Sequence, residues 1–393
     1  MSRSIDTVEK ARQAGATEAD IQLCWLWLAY VLGPGHPRAR NLLRWYGADP
    51  ITVWRSRNNE EFGRMLGGGA RQQERLRDTE QALAVCRRRL DQCSRQGIAI
   101  LPYGSPDYPR SLLDLPDPPM VLYCIGDPSW LNAGSLVGMV GSRHPDEYGL
   151  WAASELGRQL ARQGAVIVSG LAAGLDGACH QAAVDEKAPT IGVQGVPIDK
   201  PYPKSTIELR RAAIEHGCVV GEYAPGEDGV GKNGFLLRNR LIAGLSRALV
   251  VVQAGEKSGT MSTVEHAERY GRKIYAVPAG MDRTLSRGSN LLIAQGRAEL
   301  VMDGAGILRR MNGEKPAPPV QKPAPARPRA ARKEAAAGTL ERAVLDRLER
   351  GPASVEELSA CCRAGTAELL ALLMGLELDG AVGPLPGQRY ISL

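Results

Sequence analysis

Five clusters in the middle of this 393-residue chain combine small residues with groups that hold anions. Gly141-Ser142-Arg143 sets a guanidinium, which forks readily onto phosphate oxygens, beside two small residues. The other reading of Arg143 is a salt bridge to Asp146 or Glu147. Ser169-Gly170-Leu171-Ala172-Ala173-Gly174-Leu175-Asp176 leads to His180. Asp176 and His180 lie four apart and could share a helix face as an acid–base pair; hydrogen bonds that brace the loop are the favoured reading. Tyr202-Pro203-Lys204 offers one more cation, either for phosphate or simply solvated. In Phe235-Leu236-Leu237-Arg238-Asn239-Arg240 an aromatic precedes Arg238 by three residues, which fits a base stacked over a held backbone. A core anchor is the alternative for Phe235. Ser258-Gly259-Thr260 puts hydroxyls and free amides at a helix start, suited to one phosphate.

These clusters need a scaffold that brings them together, and the flanking pattern supplies one. Leu136-Val140, Val166-Val168, Ile191-Val193, Val219-Val220, Leu249-Val252 and Ile274-Val277 are short apolar runs, each ending at a glycine-containing turn and alternating with helical stretches. That alternation predicts βα units around a parallel sheet. All strand ends of one kind then share an edge, the edge at which open α/β sheets bind ligands. The expected fold class is therefore α/β, with an extended Rossmann-like parallel sheet. The glycines do not follow G-x-G-x-x-G, and no acidic residue stands where it would read a ribose, so a dinucleotide cofactor is disfavoured. No Gly-Lys-Ser/Thr is present, so the fifth cluster is no P-loop.

The flanks differ in character. Residues 1–95 are predicted helical, and Gly33-Pro34-Gly35-His36-Pro37 breaks the first two helices. With Arg38, Arg40 and Arg44 beyond it, this turn is helix-hairpin-helix-like and could hold nucleic-acid backbone through its amides; an ordinary helix–helix turn is the favoured alternative. Residues 96–135 are Pro-rich and extended, a lead-in along the sheet; with the α/β body they make a domain over 96–312. Residues 313–337 are a basic, Pro/Ala-rich linker: six cations against two carboxylates over 314–334 give +4 of the net +6, leaving +2 elsewhere. Affinity for a polyanion must then come from local patches. Residues 338–393 have the layout of a winged helix, with Ser354 and Glu357 at capping-box positions. Its recognition helix, 367–378, carries two Glu and no Lys or Arg, which favours protein contact or a structural role over DNA reading.

The eight cysteines form no CxxC pair and the five histidines no metal pattern, so buried, reduced thiols and no metal are expected. The N-terminus lacks the layout of a signal peptide, and Cys24-Leu32 is too short to span a bilayer, so the expected location is cytoplasmic, off the membrane.

Taken in order, Val140-Gly141-Ser142-Arg143 with Tyr148-Gly149, Ser169 to Asp176 with His180, Tyr202-Pro203, Arg238 to Ser246, Ser258-Gly259-Thr260, Gly271-Arg272, Val277-Pro278 and Gly288 to Ile293 resemble the DNA-processing protein A (DprA/Smf) family. The resemblance covers about residues 97–302, and both flanking domains, the first SAM- or helix-hairpin-helix-like, look like members of it. It implies a protein that binds single-stranded DNA, usually as a homodimer. It also implies protection of incoming DNA during natural transformation and its transfer to the RecA recombinase, with no catalysis and no cofactor. Arg143, Gly170, Lys204, Phe235, Arg238, Asn239 and Arg240 match or adjoin the strand-binding positions. Ser169, Ser258, Gly259 and Thr260 complete the expected interface. Leu236 stands where the family commonly has Pro, and Ser205-Thr206 follow Tyr202-Pro203 where Asn or His is usual, so the shape of the 195–235 rim is the least constrained part. One rival is a pure interaction module worked by the winged helix, against which the Arg and Gly turns argue; the other is a nucleotide phosphoribohydrolase of the lysine-decarboxylase-like family acting on nucleoside monophosphates. Ser258-Gly259-Thr260 echoes its Gly-Gly-x-Gly-Thr-x-x-Glu turn, but Thr263 occupies the place of the required carboxylate and Glu265 lies two residues on.

Overall fold

The computed structural model describes residues 17–67, 69–227, 231, 233–313, 339–385 and 389–392. They belong to two compact units, residues 1–316 and 317–393. The expected linker falls, apart from Gly313, outside the described residues.

In the first unit the described residues form one nine-stranded sheet. Its strands are β1 (Ala99–Pro102), β2 (Val121–Gly126), β3 (Leu136–Val140), β4 (Val166–Ser169), β5 (Thr190–Gln194), β6 (Cys218–Gly221), β7 (Ala248–Val251), β8 (Lys273–Ala276) and β9 (Glu299–Leu300). The order is β1-β2-β6-β5-β4-β3-β7-β8-β9. From β6 through β9 every neighbouring pair is parallel. Each of the six apolar runs is a strand of this block. Runs such as Leu136–Val140 and Ala248–Val251 are buried along their length, because helices cover both faces of the sheet. The Pro-rich lead-in does more than pack alongside: it supplies β1 and β2, which extend the sheet antiparallel from β6.

The helices before the sheet are α1 (Glu18–Leu32), α2 (Ala39–Trp45), α3 (Pro50–Arg55), α4 (Glu60–Leu66), α5 (Ala70–Arg77) and α6 (Thr79–Gln96). Thr17 and Asp20 form a capping box that starts α1, and Gly33 at φ 75° ends it. Apolar spacing across 71–90 predicts one helix, but there are two: Asp78 accepts from the Gln81 N–H and so caps α6 as a fresh start. Trp25, Trp27 and Phe62 are buried, and Trp27 meets Trp54 edge-on at 5.0 Å. These helices share the apolar core on one side of the sheet with α10 (Asn233–Leu245), α11 (Thr260–Arg269) and α12 (Arg287–Ala294). The opposite face is covered by α7 (Glu147–Arg162), α8 (Leu175–Asp185) and α13 (Gly304–Met311), and α9 (Ile207–His216) runs from β5 to β6.

The second unit contains α14 (Leu340–Glu349), β10 (Ala353–Ser354), α15 (Val355–Cys362), α16 (Thr366–Leu378), β11 (Val382–Leu385) and β12 (Arg389–Ser392), the three strands pairing as β10-β12-β11. Helix, helix-turn-helix and hairpin make a winged helix, and the Ser354–Glu357 capping box opens α15. No single helix among the described residues is long and apolar enough to cross a membrane. Only the pair α15 and α16 passes that test, bent by 110°, and Leu358, Leu369, Leu373 and Leu376 are spent on the module's core.

Candidate nucleic-acid interface

Because β3, β4 and β5 are parallel, the turns after Val140, Ser169 and Gln194 emerge side by side. The first two are locked together. The Leu175 N–H donates to the Ser142 carbonyl at 3.1 Å, and Gly174, at φ 82°, leaves no room for a Cβ against the Ser142 and Arg143 backbone. Between these turns and the start of α10 lies a cavity of about 120 Å³. Arg143, Gly170, Phe235 and Arg238 all line it, so four residues nearly a hundred positions apart meet at one place. The cavity lies at the carboxyl ends of β3, β4 and β5, the edge at which open sheets characteristically take ligands.

Arg143 and Arg238 differ in kind. Arg143 is exposed, and Asp146, offered above as its salt-bridge partner, is engaged elsewhere: it caps α7 at the Gly149 N–H, accepts from Gln253 and pairs with Arg283 at 3.1 Å. These contacts hold the Asp146 carboxyl below its usual range, the helix-cap bond foremost. The Arg143 guanidinium stands 5.4 Å from the centre of the Phe235 ring. Arg238 is only 5% exposed and donates to the carbonyls of Gly170 and Val193. A Cβ on Gly170 would collide with this guanidinium and with Asp176, so glycine is what lets Arg238 through. Burial lowers the Arg238 pKa to about 10 and raises that of Asp176, each partly offset by the other's charge. Arg238 therefore stays cationic at neutral pH, as a fixed charge in the cavity wall.

The outer lip is aromatic. Tyr202 is 49% exposed, and its ring lies 5.3 Å from that of the half-buried Phe235 at 35°. Tyr202, Ala172, Ala173 and the Gln194-Gly195-Val196 turn were absent from the expected interface but line the cavity. Tyr202-Pro203 was the signal for the first; the others are small or neutral, and only the fold distinguishes them. Lys204 is exposed and follows the lining residue Pro203. Asn239 is half-buried on α10, its amide reaching the Ser262 hydroxyl at 3.3 Å and the Gly259 carbonyl at 3.5 Å. Ser258, Gly259 and Thr260 thus sit beside Asn239 at the start of α11, outside the cavity lining. The two hydroxyls bond each other, and Ser258 also accepts from the Thr260 N–H.

Two expectations are corrected. Ser169 is fully buried and gives its hydroxyl proton to the Met139 carbonyl at 2.6 Å, so it fastens β4 to β3 and presents nothing to a ligand. Arg240 is 1% exposed, ion-paired with Glu222 and bonded to the Asp117 carbonyl at 2.9 Å; on a helix, two residues from Arg238 it must point away from the cavity. The Gly33–Pro37 turn is occupied rather than open. The Gly35 N–H donates to Glu222 at 3.3 Å, and Arg38 and Arg40 bond carbonyls of 64–65 and 114–115. Arg240 and Glu222 thus bolt the α1–α2 turn onto the sheet, in keeping with the favoured reading of an ordinary helix–helix turn.

Asp176 and His180 do not meet as an acid–base pair. The Thr190 hydroxyl donates to the Ile167 carbonyl, so it accepts from His180 Nδ1 at 2.7 Å, and burial lowers the His180 pKa to about 4. Thr263, where a phosphoribohydrolase needs its carboxylate, is buried, while Glu265 is exposed.

Residues 99–312 match the family model for DNA recombination-mediator protein A, and residues 324–388 match that for the DprA winged helix domain. The chain is 36% identical over 256 residues to the DNA processing protein DprA of Bacillus subtilis, covering 65% of this chain and 84% of that protein. It is 29% identical over 336 residues to Protein Smf of Synechocystis, covering 77% and 82%. Among solved structures it is similar to DNA processing protein A of Streptococcus pneumoniae, with TM-score 0.59, 28% identity, and coverage of 75% of this chain and 97% of that one. It is also similar to DNA processing protein A of Helicobacter pylori, described for its single-stranded DNA binding mode, with TM-score 0.50, 30% identity, and coverage of 55% and 96%.

Proposed function

The chain belongs to the DNA-processing protein A (DprA/Smf) family, and from that membership we propose that it binds single-stranded DNA along the carboxyl edge of β3, β4 and β5. In this reading it protects incoming DNA and helps load RecA recombinase during natural transformation and recombination, acts as a homodimer in the cytoplasm, and catalyses no reaction. The observation that carries the reading is the cavity where Arg143, Gly170, Phe235 and Arg238 converge.

The chemistry suits a flexible strand better than a duplex. Arg143 is a cation free to meet a phosphate, Arg238 is a fixed positive charge behind it, and the Tyr202–Phe235 pair offers ring faces. A base can reach those faces only if it is unpaired. The backbone near Gly170 and Gly195 approaches the cavity without side chains. Nothing on this rim reads base edges in a pattern, so binding has little sequence preference. The phosphoribohydrolase reading lacks its carboxylate and is set aside.

A gel shift comparing single-stranded with duplex DNA tests this, with Phe235→Ala alongside. Preferential retention of the single strand is expected, and Phe235→Ala should cost on the order of 1–3 kcal/mol of binding through lost stacking. Equal retention of duplex, or full affinity without Phe235, would refute the placement. Release of free base from nucleoside monophosphates would restore the enzymatic alternative.

A further inference from the structure

The last helix of the winged module turns an apolar face outward. On α16, Leu369, Leu373 and Leu376 are buried in the module's core, while Leu370, Met374 and Leu378, spaced by four, project on the opposite side. Their exposure climbs along the helix from 46% to 68% to 85%. Ala367 and Ala371 complete the strip and are also exposed. A helix apolar all round is ordinarily buried, and a contiguous outward apolar patch marks an interaction site. The polar residues bordering the strip are Glu368 and Glu377, and α16 has neither Lys nor Arg.

The chemistry of the border selects among occupants. A DNA groove requires cations for its phosphates, yet α16 offers none; Arg363 stands in the turn before it, while Arg342 pairs with Asp346, Arg347 with Glu357, and Arg389 donates to the Pro352 carbonyl. A lipid surface takes helices whose polar face is rich in Lys and Arg, the reverse of this border. A second copy of α16 brings more glutamates and no cation to the seam. What matches both features is a helix with apolar residues at i, i+3, i+4 and i+7, flanked by Lys and Arg. We infer that the outward face of α16 docks a cationic amphipathic helix of a partner protein, so that this winged helix reads a protein where others read a DNA groove.

The test uses the full chain and a fluorescent peptide of leucine and lysine with leucines at that helical spacing, followed by anisotropy. The same peptide with glutamate for lysine is the control. Saturable binding of the lysine peptide alone is expected, weakened at least about tenfold by Met374→Ser with Leu378→Ser. Glu368→Gln with Glu377→Gln should also weaken it and reduce its salt dependence. These side chains lie outside the core, so the melting temperature should hold in both variants. The proposal falls if the wild-type chain ignores the lysine peptide, if either peptide binds equally, or if both double variants bind like wild type. It also falls if the serine variant leaves peptide binding intact and instead changes oligomeric state, duplex-DNA retention or binding to anionic vesicles.

Discussion

Arg143, Arg238 and Arg240 are chemically identical, and their surroundings assign them three different tasks. Arg143 is exposed over the Phe235 ring, Arg238 is sunk against the Gly170 and Val193 carbonyls, and Arg240 is buried with Glu222. Arg143→Ala should therefore weaken single-strand binding and flatten the log–log salt slope by about 0.7, one phosphate contact, with an unchanged melting temperature. Arg238→Ala should behave differently: it strips two buried carbonyls of charge-assisted hydrogen bonds and should lower unfolding stability by on the order of 1.5–3 kcal/mol per bond lost. A denaturant titration separates the two, since only the second should shift its midpoint. Arg240→Ala leaves Glu222 buried without its counter-charge, which should cost about 3–5 kcal/mol and loosen the α1–α2 turn. Unchanged stability there would mean the bolt holds nothing.

Helix α8 is tied to β5 by the His180–Thr190 bond, and that tie carries a pH dependence. The ordinary histidine value is 6.5 and burial brings His180 to about 4. As pH falls, the unfolded chain takes up the proton first. The stabilisation is complete above pH 6.5 and declines progressively until the folded value near 4 is passed. Unfolding free energy measured at pH 7 and pH 5 should show the drop, and His180→Gln should make it shallower. His266, also brought to about 4 by burial, supplies a further part of the slope. Capping in these elements was legible in advance: Ser354 and Glu357 open α15 where their spacing says. The apolar spacing on either side runs through Asp78 and hides the cap; the hydrogen bond it accepts from the Gln81 N–H is what divides α5 from α6.

Along the sequence of the whole chain, the densest charge and the cavity-forming residues fall in different segments. The cavity belongs to the unit ending at residue 316, while the segment 314–334 holds +4 of the net +6. A chain ending after residue 313 should keep its preference for single strands, which the cavity confers, and lose part of the salt slope, which the basic segment adds. A competition gel shift across a salt series checks both at once. If the preference disappears with the segment, the rim does not discriminate between strands.

The six apolar runs dictated six strands of the sheet, since a segment of that length and apolarity has only a doubly covered sheet in which to bury both faces. Parallel order then placed Gly141-Ser142-Arg143 and the Gly170 turn on one edge, which the alternation of runs and helices already implied. Which polar residue faces a ligand was not implied. Ser169 and Arg240 sit within the same motifs as Gly170 and Arg238, and pleat and helix rotation turned them inward, where Ser169 bonds the Met139 carbonyl and Arg240 pairs with Glu222. Tyr202 and the Gln194–Val196 turn joined the cavity because β5 lies next to β4. A sequence records which groups are present and their period along an element; the direction a side chain finally takes depends on the partner waiting there, and that partner is far away in the chain.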